Sequence, residues 1–234
     1  MRPSHQLPIP SGADDDRVKN LREGQYQELA YIRQRPQVDA LVNGGAYILW
    51  AEAIRYQQEA IALAILAKEF GVRALVVCFE ATCQGFPDPS ANGSYGFNEM
   101  RQDMQKEAGS GVIVRVGANC TGVTNMNRIL ESGVVPDAMY ANGEDVGTDD
   151  GREKDTLWRL SEIQVRTGDE EAQLKRLKAQ LNTSREQFMA FWRQCKESGV
   201  PMFGVCCGGT PELVKTASQV MKGSSVPYCP TLGA

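Results

Sequence analysis

Histidine is almost absent from this chain of 234 residues. The single one, His5, lies in a stretch rich in Pro and Asp at the amino end, where a solvated tail residue is expected. This scarcity argues strongly against histidine-dependent catalysis and against zinc sites built on several imidazoles. A metal bound here would have to be held mainly by sulfur or carboxylate.

Basic runs and long apolar runs are missing as well. The net charge is -4 and Lys and Arg are not clustered, which predicts no nucleic-acid partner, because such partners require phosphate neutralisation. No apolar stretch approaches the roughly 20 residues of a membrane span, and the first residues lack the apolar core of a secretory signal. No membrane partner is predicted, and the expected ligands are small molecules.

Cysteine is present seven times, an odd number, at spacings unlike those of small disulfide scaffolds. Free thiols in a reducing compartment fit this count, so a cytoplasmic location is predicted. Cys78, Cys83, Cys195 and Cys229 have no motif around them and are predicted to be core residues or exposed thiols. Trp50, Phe79 and Phe203 are predicted to fill the core.

Apolar runs alternate with helical patterns along the chain, which predicts an α/β fold with a parallel sheet. Residues 1–20 are predicted to be a disordered lead-in, residues 21–223 one domain, and residues 224–234 a tail. Within the domain, residues 144–182 form a polar helical insertion, either a solvated excursion or a cap over the active site. The predicted strands are 46–51, 74–79, 112–116, 137–140 and 201–205; the predicted helices are 21–42 (interrupted or bent near Pro36), 54–70, 97–108, 126–131, 169–181, 185–197 and 211–221.

Two cysteine motifs follow predicted strands: Gly117-Ala118-Asn119-Cys120 and Cys206-Cys207-Gly208-Gly209. Active sites of parallel α/β proteins are built at this carboxyl edge. Three thiols there could hold a zinc ion with one coordination position open. Adjacent cysteines in a strand point to opposite faces, so the strand must break at Cys206, and the two glycines allow this. Taken singly, each cysteine is better explained as a small buried apolar residue, and it is the spacing and the glycine context that favour zinc.

The same motifs resemble those of the homocysteine S-methyltransferase family, zinc-dependent barrel enzymes that methylate homocysteine to methionine. Residues 204–212, GVCCGGTPE, are similar to its Gly-Gly-Cys-Cys-Gly-x-x-Pro-Glu signature, with Val205 in place of a glycine. Residues 31–53 are similar to the family's helix and fourth strand, which ends in a glutamate, here Glu52. Residues 140–144, YANGE, resemble a Tyr-Pro-Asn-x-Gly-Glu stretch with one position missing.

The resemblance covers about residues 25–222 and implies a (β/α) barrel of the TIM type. About five βα units are visible, corresponding to strands 4–8 of the family barrel, whereas a closed barrel needs eight. Nothing before Leu21 resembles the family's first strand, its Asp-Gly-Gly-like turn or the next two units. The expected fold is therefore an incomplete barrel that lacks the family's N-terminal third.

By this resemblance, Cys120, Cys206 and Cys207 would bind Zn²⁺, and Glu52 would bind the α-amino group of homocysteine. Asn119 and Asn142 would orient the amino acid or the groups around it, although both could equally be turn formers. The methyl donor would carry a cationic sulfur or nitrogen, because such a centre leaves as a neutral group. The implied activity is methyl transfer from an S- or N-methylated donor to homocysteine.

Two other interpretations remain open. The chain could be a truncated or degenerate zinc-binding fragment without turnover, or one subunit of a split barrel. An open arc of strands would leave apolar strand edges uncovered, which predicts a homo-oligomer or a complementing chain.

Overall fold

The computed structural model describes residues 23–80, 96–143, 167–181 and 183–223. Five strands alternate with helices in this part of the chain. In order they are α1 (Glu23–Asn43), β1 (Ile48–Ile54), α2 (Gln57–Glu69), β2 (Ala74–Glu80), α3 (Phe97–Ala108), β3 (Ile113–Thr121), α4 (Val123–Glu131), β4 (Ala138–Ala141), α5 (Gly168–Leu181), α6 (Arg185–Glu197), β5 (Met202–Val205) and α7 (Pro211–Lys222).

The helix starts have clear local causes. Glu99 accepts a hydrogen bond from the backbone N–H of Gly96 at the start of α3. At α6, Ser184 and Gln187 exchange reciprocal hydrogen bonds between side chain and backbone. Each pair satisfies donors that the first helical turn leaves without partners.

All five strands are parallel, and their order in the sheet is their order in the chain. A doubly wound sheet would reverse this order at a switch point. Because βα crossovers are nearly always right-handed, strands added in one direction place their helices on the same face. The fold is therefore an arc of a (β/α) barrel with five units, which confirms the predicted fold class.

The two faces of the sheet differ in composition, as the strand register dictates. The face toward the helices carries the main core, with large buried side chains from every strand and from α2, α3 and α6. The opposite face carries a smaller cluster around Val76, Cys78 and Ala138, with Tyr140 and Met202 packed against it. On that open face Ile48, Trp50 and Ile113 are partly exposed to solvent.

Most predicted elements are found within a few residues of their expected bounds, and three differ. Strand β1 begins and ends later than predicted, and α1 continues through Pro36 without interruption. Strand β3 runs to Thr121 rather than to residue 116, so Cys120 lies within a strand and not after it. The predicted end follows from apolar content alone, whereas the ladder pairing continues through Gly117 and Asn119.

The predicted lead-in, residues 1–20, and the tail, residues 224–234, lie outside the described residues. So does the greater part of the 144–182 insertion, of which helix α5 is described. These domain boundaries therefore remain predictions. Among the described helices, none combines the length and apolar character needed to cross a bilayer.

Candidate functional site

Cys120 is presented by a bulge near the end of β3. Asn119 pairs with Tyr140 of β4 and Thr121 with Ala141, so two steps on β3 face a single step on β4. Cys120 has a φ of 51°, in the left-handed region that residues with a side chain rarely adopt. The hydroxyl of Thr121 donates to the Asn119 carbonyl at 3.0 Å and closes the bulge. Bulges re-aim side chains beside active sites, and this one turns the Cys120 thiol toward β5.

Cys206 and Cys207 lie in a turn directly after β5. The backbone N–H of Cys206 still pairs with the Ala141 carbonyl at 2.8 Å, and the N–H of Gly209 closes the turn on the Cys206 carbonyl at 3.1 Å. Gly208 is the third residue of this four-residue turn and has a φ of 74°, a backbone conformation that favours glycine. The predicted break of the strand at the cysteine pair is thus confirmed.

The turn rests against the end of β4 through a contact of two glycines. The N–H of Gly143 donates to the Cys207 carbonyl at 2.7 Å. A side-chain carbon on Gly143 would lie 2.5 Å from the carbonyl oxygen of Gly208. The backbones can meet this closely only because Gly143 has no side chain.

The three sulfurs converge as the sequence predicts. The Sγ of Cys120 lies 3.0 Å from that of Cys206 and 3.8 Å from that of Cys207, and the last two are 3.9 Å apart. Cys120 and Cys206 are half-buried and Cys207 is exposed, so the cluster is accessible from one side. By contrast, Cys78 and Cys195 are buried and do not belong to the cluster.

The cluster gives up one proton easily and the next two with difficulty. Hydrogen bonds from Cys120 and then from Cys207 hold the pKa of Cys206 well below that of a free thiol. The pKa of Cys120 is raised by its hydrogen bonds to Cys206 and Cys207 and by burial. A hydrogen bond from Cys120 lowers the pKa of Cys207. The hydrogen bond of Cys207 to Cys206, burial and the Cys206 charge raise it by more, so the pKa of Cys207 is raised overall. A cation is needed to bring all three sulfurs to the thiolate form.

The residues present fit a tetrahedral metal ion. Three sulfurs at tetrahedral angles around zinc, with Zn–S bonds of about 2.3 Å, are about 3.8 Å apart. The two separations to Cys207 are already 3.8 and 3.9 Å, so only the Cys120–Cys206 pair would have to widen. Asn142 follows β4 and is buried, and within the described part of the chain its Oδ1 has no hydrogen-bond partner. That oxygen is available to a polar ligand at the same strand edge.

Glu52 lies at a second bulge, at the end of β1. Ala51 pairs with Val77 and Ile54 with Phe79, so Glu52 and Ala53 together lie opposite one residue of β2. Ala53 has a φ of 54°. Partial burial and the negative charge of Cys206 raise the pKa of the Glu52 carboxyl, while a hydrogen bond with the Trp50 side chain lowers it. Glu52 is therefore within electrostatic reach of the thiol cluster.

Asn119 connects these two bulges. Its side chain is fully buried, and its Oδ1 accepts a hydrogen bond from the backbone N–H of Ala53 at 3.0 Å. Its Nδ2 points at the sulfurs, 3.7 Å from Cys120 and 3.9 Å from Cys206. The structure therefore brings Asn119 together with the cysteines and with the end of β1.

One aromatic residue near the site, Trp50, differs from expectation. Trp50 is 41% exposed and lies on the open face, not in the core, whereas Phe79 and Phe203 are buried as predicted. The ring of Trp50 packs edge-on against that of Tyr140, with centroids 5.6 Å apart. The two-residue spacing of Trp50 and Glu52 on one strand was the signal that could have placed both on the same face.

Comparisons with known proteins identify the family of this chain. The sequence matches the family described as homocysteine S-methyltransferase over residues 17–221. No curated protein gives a match. Among solved structures, the chain is similar to the apo form of the homocysteine methyltransferase MmuM from Escherichia coli, with 17% identity and a TM-score of 0.49. That likeness covers 83% of this chain and 57% of the other, so the chain spans little more than half the length of that protein. The family match extends over most of the chain, which therefore belongs to the homocysteine S-methyltransferase family.

Proposed function

We propose that this chain carries out zinc-dependent methyl transfer from an S- or N-methylated donor to the thiol of homocysteine, forming methionine. The observation that supports this proposal most directly is the convergence of the Cys120, Cys206 and Cys207 sulfurs, with one side open to solvent. Three sulfur ligands leave a fourth position for the sulfur of the substrate. Family membership supplies the identity of that substrate.

The three cysteines would hold Zn²⁺, and Asn142, which directly follows β4, would orient the amino acid or the groups around it. When bound, the ion would lower the pKa of the homocysteine thiol and hold the sulfur as a thiolate. The chain itself contributes negative charge to the site, because the total charge of three cysteine thiolates exceeds that of one divalent cation. This excess keeps the substrate sulfur electron-rich. Imidazole ligands would leave the sulfur less nucleophilic.

Glu52 would receive the α-amino group of homocysteine as a charge-assisted hydrogen-bond acceptor. Its nearness to Cys206 suits an amino acid whose sulfur and nitrogen are only a few bonds apart. Burial raises the carboxyl pKa, and an ammonium group beside it would return the carboxyl to its charged form.

The chemistry is a displacement at carbon. A lone pair of the homocysteine sulfur forms a new bond to the methyl carbon, and the donor's bond from that carbon to its sulfur or nitrogen breaks. The electron pair of the broken bond stays with the donor atom, which leaves uncharged. The negative charge of the cysteine thiolates would attract the cationic donor, and the charges of the substrate sulfur and of the donor cancel as the methyl group moves.

The test has two readouts. Zinc per chain should be close to one for the purified protein and far below one for Cys206→Ser. The control Cys195→Ser, a buried cysteine outside the cluster, should keep its zinc. Methionine should form from homocysteine and a panel of sulfonium and quaternary ammonium donors. Bound zinc without methyl transfer to homocysteine from any donor would favour the alternative, a zinc-binding barrel fragment without turnover or one subunit of a split barrel.

A further partner is part of this proposal. Five strands leave β1 and β5 as the two edges of the described sheet, and the open face carries partly exposed apolar side chains. We expect a second copy or a complementing chain to cover them. A cytoplasmic location and the absence of nucleic-acid and membrane partners remain predictions from composition.

A further inference from the structure

Two strained positions flank the proposed site, and one buried side chain lies between them. Ala53 and Cys120 are the only described residues other than glycine with a positive φ. Each belongs to a bulge, one in β1 and one in β3, with strand β2 between them. A residue in the left-handed region costs about 1 kcal/mol or more, so its surroundings must hold it there.

Asn119 can hold both positions because an amide has a separate acceptor and donor. The bond from the Ala53 N–H occupies Oδ1 and so fixes the direction of the amide. Nδ2 must then face the sulfurs of Cys120 and Cys206, at distances suited to N–H···S hydrogen bonds. The side chain is completely buried, so water cannot replace either interaction easily.

We propose that Asn119 is a positioning residue that fixes the separation between Glu52 and the three thiols. This inference rests on the proposed function, in which Glu52 takes the amino group of homocysteine and the thiols hold the metal that takes its sulfur. The chain of contacts runs from Glu52 to Ala53, across the Asn119 amide, to Cys120 and Cys206. Without the amide, either bulge can relax alone and the two ends of the substrate lose their matched partners.

The test compares two thiols that differ in the α-amino group alone, homocysteine and 4-sulfanylbutanoate. Their dissociation constants are measured by calorimetry on the zinc-loaded protein, without a methyl donor. The wild-type chain should prefer homocysteine roughly 10- to 100-fold, the range of a hydrogen bond to a charged group. Asn119→Leu, which keeps the volume and removes both interactions, should reduce this preference at least fivefold.

Zinc affinity, measured by competition with a chelator, should fall about 10-fold or more in Asn119→Leu, as for other groups that hydrogen-bond to metal ligands. Asn119→Ala should behave alike, and it provides the measurement if the leucine variant does not fold. The matched control is Asn125→Leu, at a buried asparagine of α4 whose amide oxygen accepts from Arg128 at 3.2 Å. Both the preference and the zinc affinity of this control should stay within twofold of wild type.

A double-mutant cycle separates positioning from general damage. Glu52→Gln should also reduce the preference for homocysteine. Adding it to Asn119→Leu should reduce the preference little further, because both changes act on the same contact, that between Glu52 and the α-amino group. If Asn119 had a merely structural role, its substitution would instead weaken the binding of both thiol ligands equally.

Three results would overturn the inference: a folded Asn119 variant with wild-type preference, additive effects in the cycle, or a wild-type protein that does not distinguish the two thiols. Failure of the proposed function gives a different result. A wild-type protein that shows the Asn119-dependent preference but transfers no methyl group would overturn the activity and leave this inference standing.

Discussion

Gly143 shows how tightly single residues are constrained at this site. A methyl group there would lie 2.5 Å from the Gly208 carbonyl oxygen, so Gly143→Ala must push the cysteine turn away from β4. We expect a loss of about 1–3 kcal/mol in unfolding free energy and weaker zinc binding. Denaturant unfolding and chelator competition measure the two effects. Gly111→Ala is the control, because an added carbon there meets no atom within 4 Å. Equal behaviour of the two variants would contradict the close contact.

The buried thiol of Cys78 should make the free energy of unfolding depend on pH. Burial, and then the charges of Glu52 and Cys206, raise the pKa of its thiol to about 12. In the unfolded chain the thiol ionises near pH 9, so above that pH the unfolded state binds fewer protons than the folded state. Stability from this group is complete below pH 9 and is lost between about pH 9 and 12, at up to about 1.4 kcal/mol per pH unit.

Cys78→Ala should therefore flatten the alkaline fall of unfolding free energy, even though it lowers stability at neutral pH. Urea unfolding at pH 8 and pH 10 for both proteins gives the comparison. An equally steep fall in the variant would show that other groups cause it.

At the scale of elements, α7 begins directly behind the cysteine turn. Its N-cap is Thr210, whose hydroxyl accepts from the backbone N–H of Leu213 at 3.3 Å, and Pro211 follows at the first helical position. Thr210→Ala should lower the unfolding free energy by about 1 kcal/mol. Thr210→Ser retains the acceptor and should restore most of it. Thermal unfolding of the two variants decides the matter, and identical losses would exclude a capping role.

Elements also show what the sequence could and could not predict. The convergence of three sulfurs followed from parallel strands whose carboxyl ends share one edge, and the glycines after Cys207 predicted the turn. The bulges at Ala53 and Cys120 left no comparable signal, because a bulge depends on pairing between strands that are distant in the chain. The length of β3 was missed for the same reason: Gly117 and Asn119 pair in the ladder although neither favours a strand.

At the scale of the whole molecule, only one of the two faces of the described sheet is covered by helices. Helices protect one face of the sheet, and the other face leaves Ile48 and Ile113 partly exposed. Both pair with Ala74, one on each side of β2. We expect the protein to elute from a sizing column as a dimer or larger species when purified alone. Ile48→Lys combined with Ile113→Lys should shift it toward monomer, because a charge on that face opposes burial.

Leu41→Lys serves as the control for this experiment, since Leu41 is exposed on α1, away from the open face. Its elution should match that of the wild type. A monodisperse wild-type monomer would count against the expected partner.

The placement of the sulfurs in the chain separates two capacities. All three come from the stretch between β3 and the turn after β5, whereas Glu52 comes from the first strand of the sheet. Under the proposed function, the metal ligands and the group that takes the α-amino nitrogen would therefore come from different stretches of sequence. A rearrangement that altered the earlier stretch could leave a protein that still sequesters zinc but no longer distinguishes an amino acid from a simple thiol.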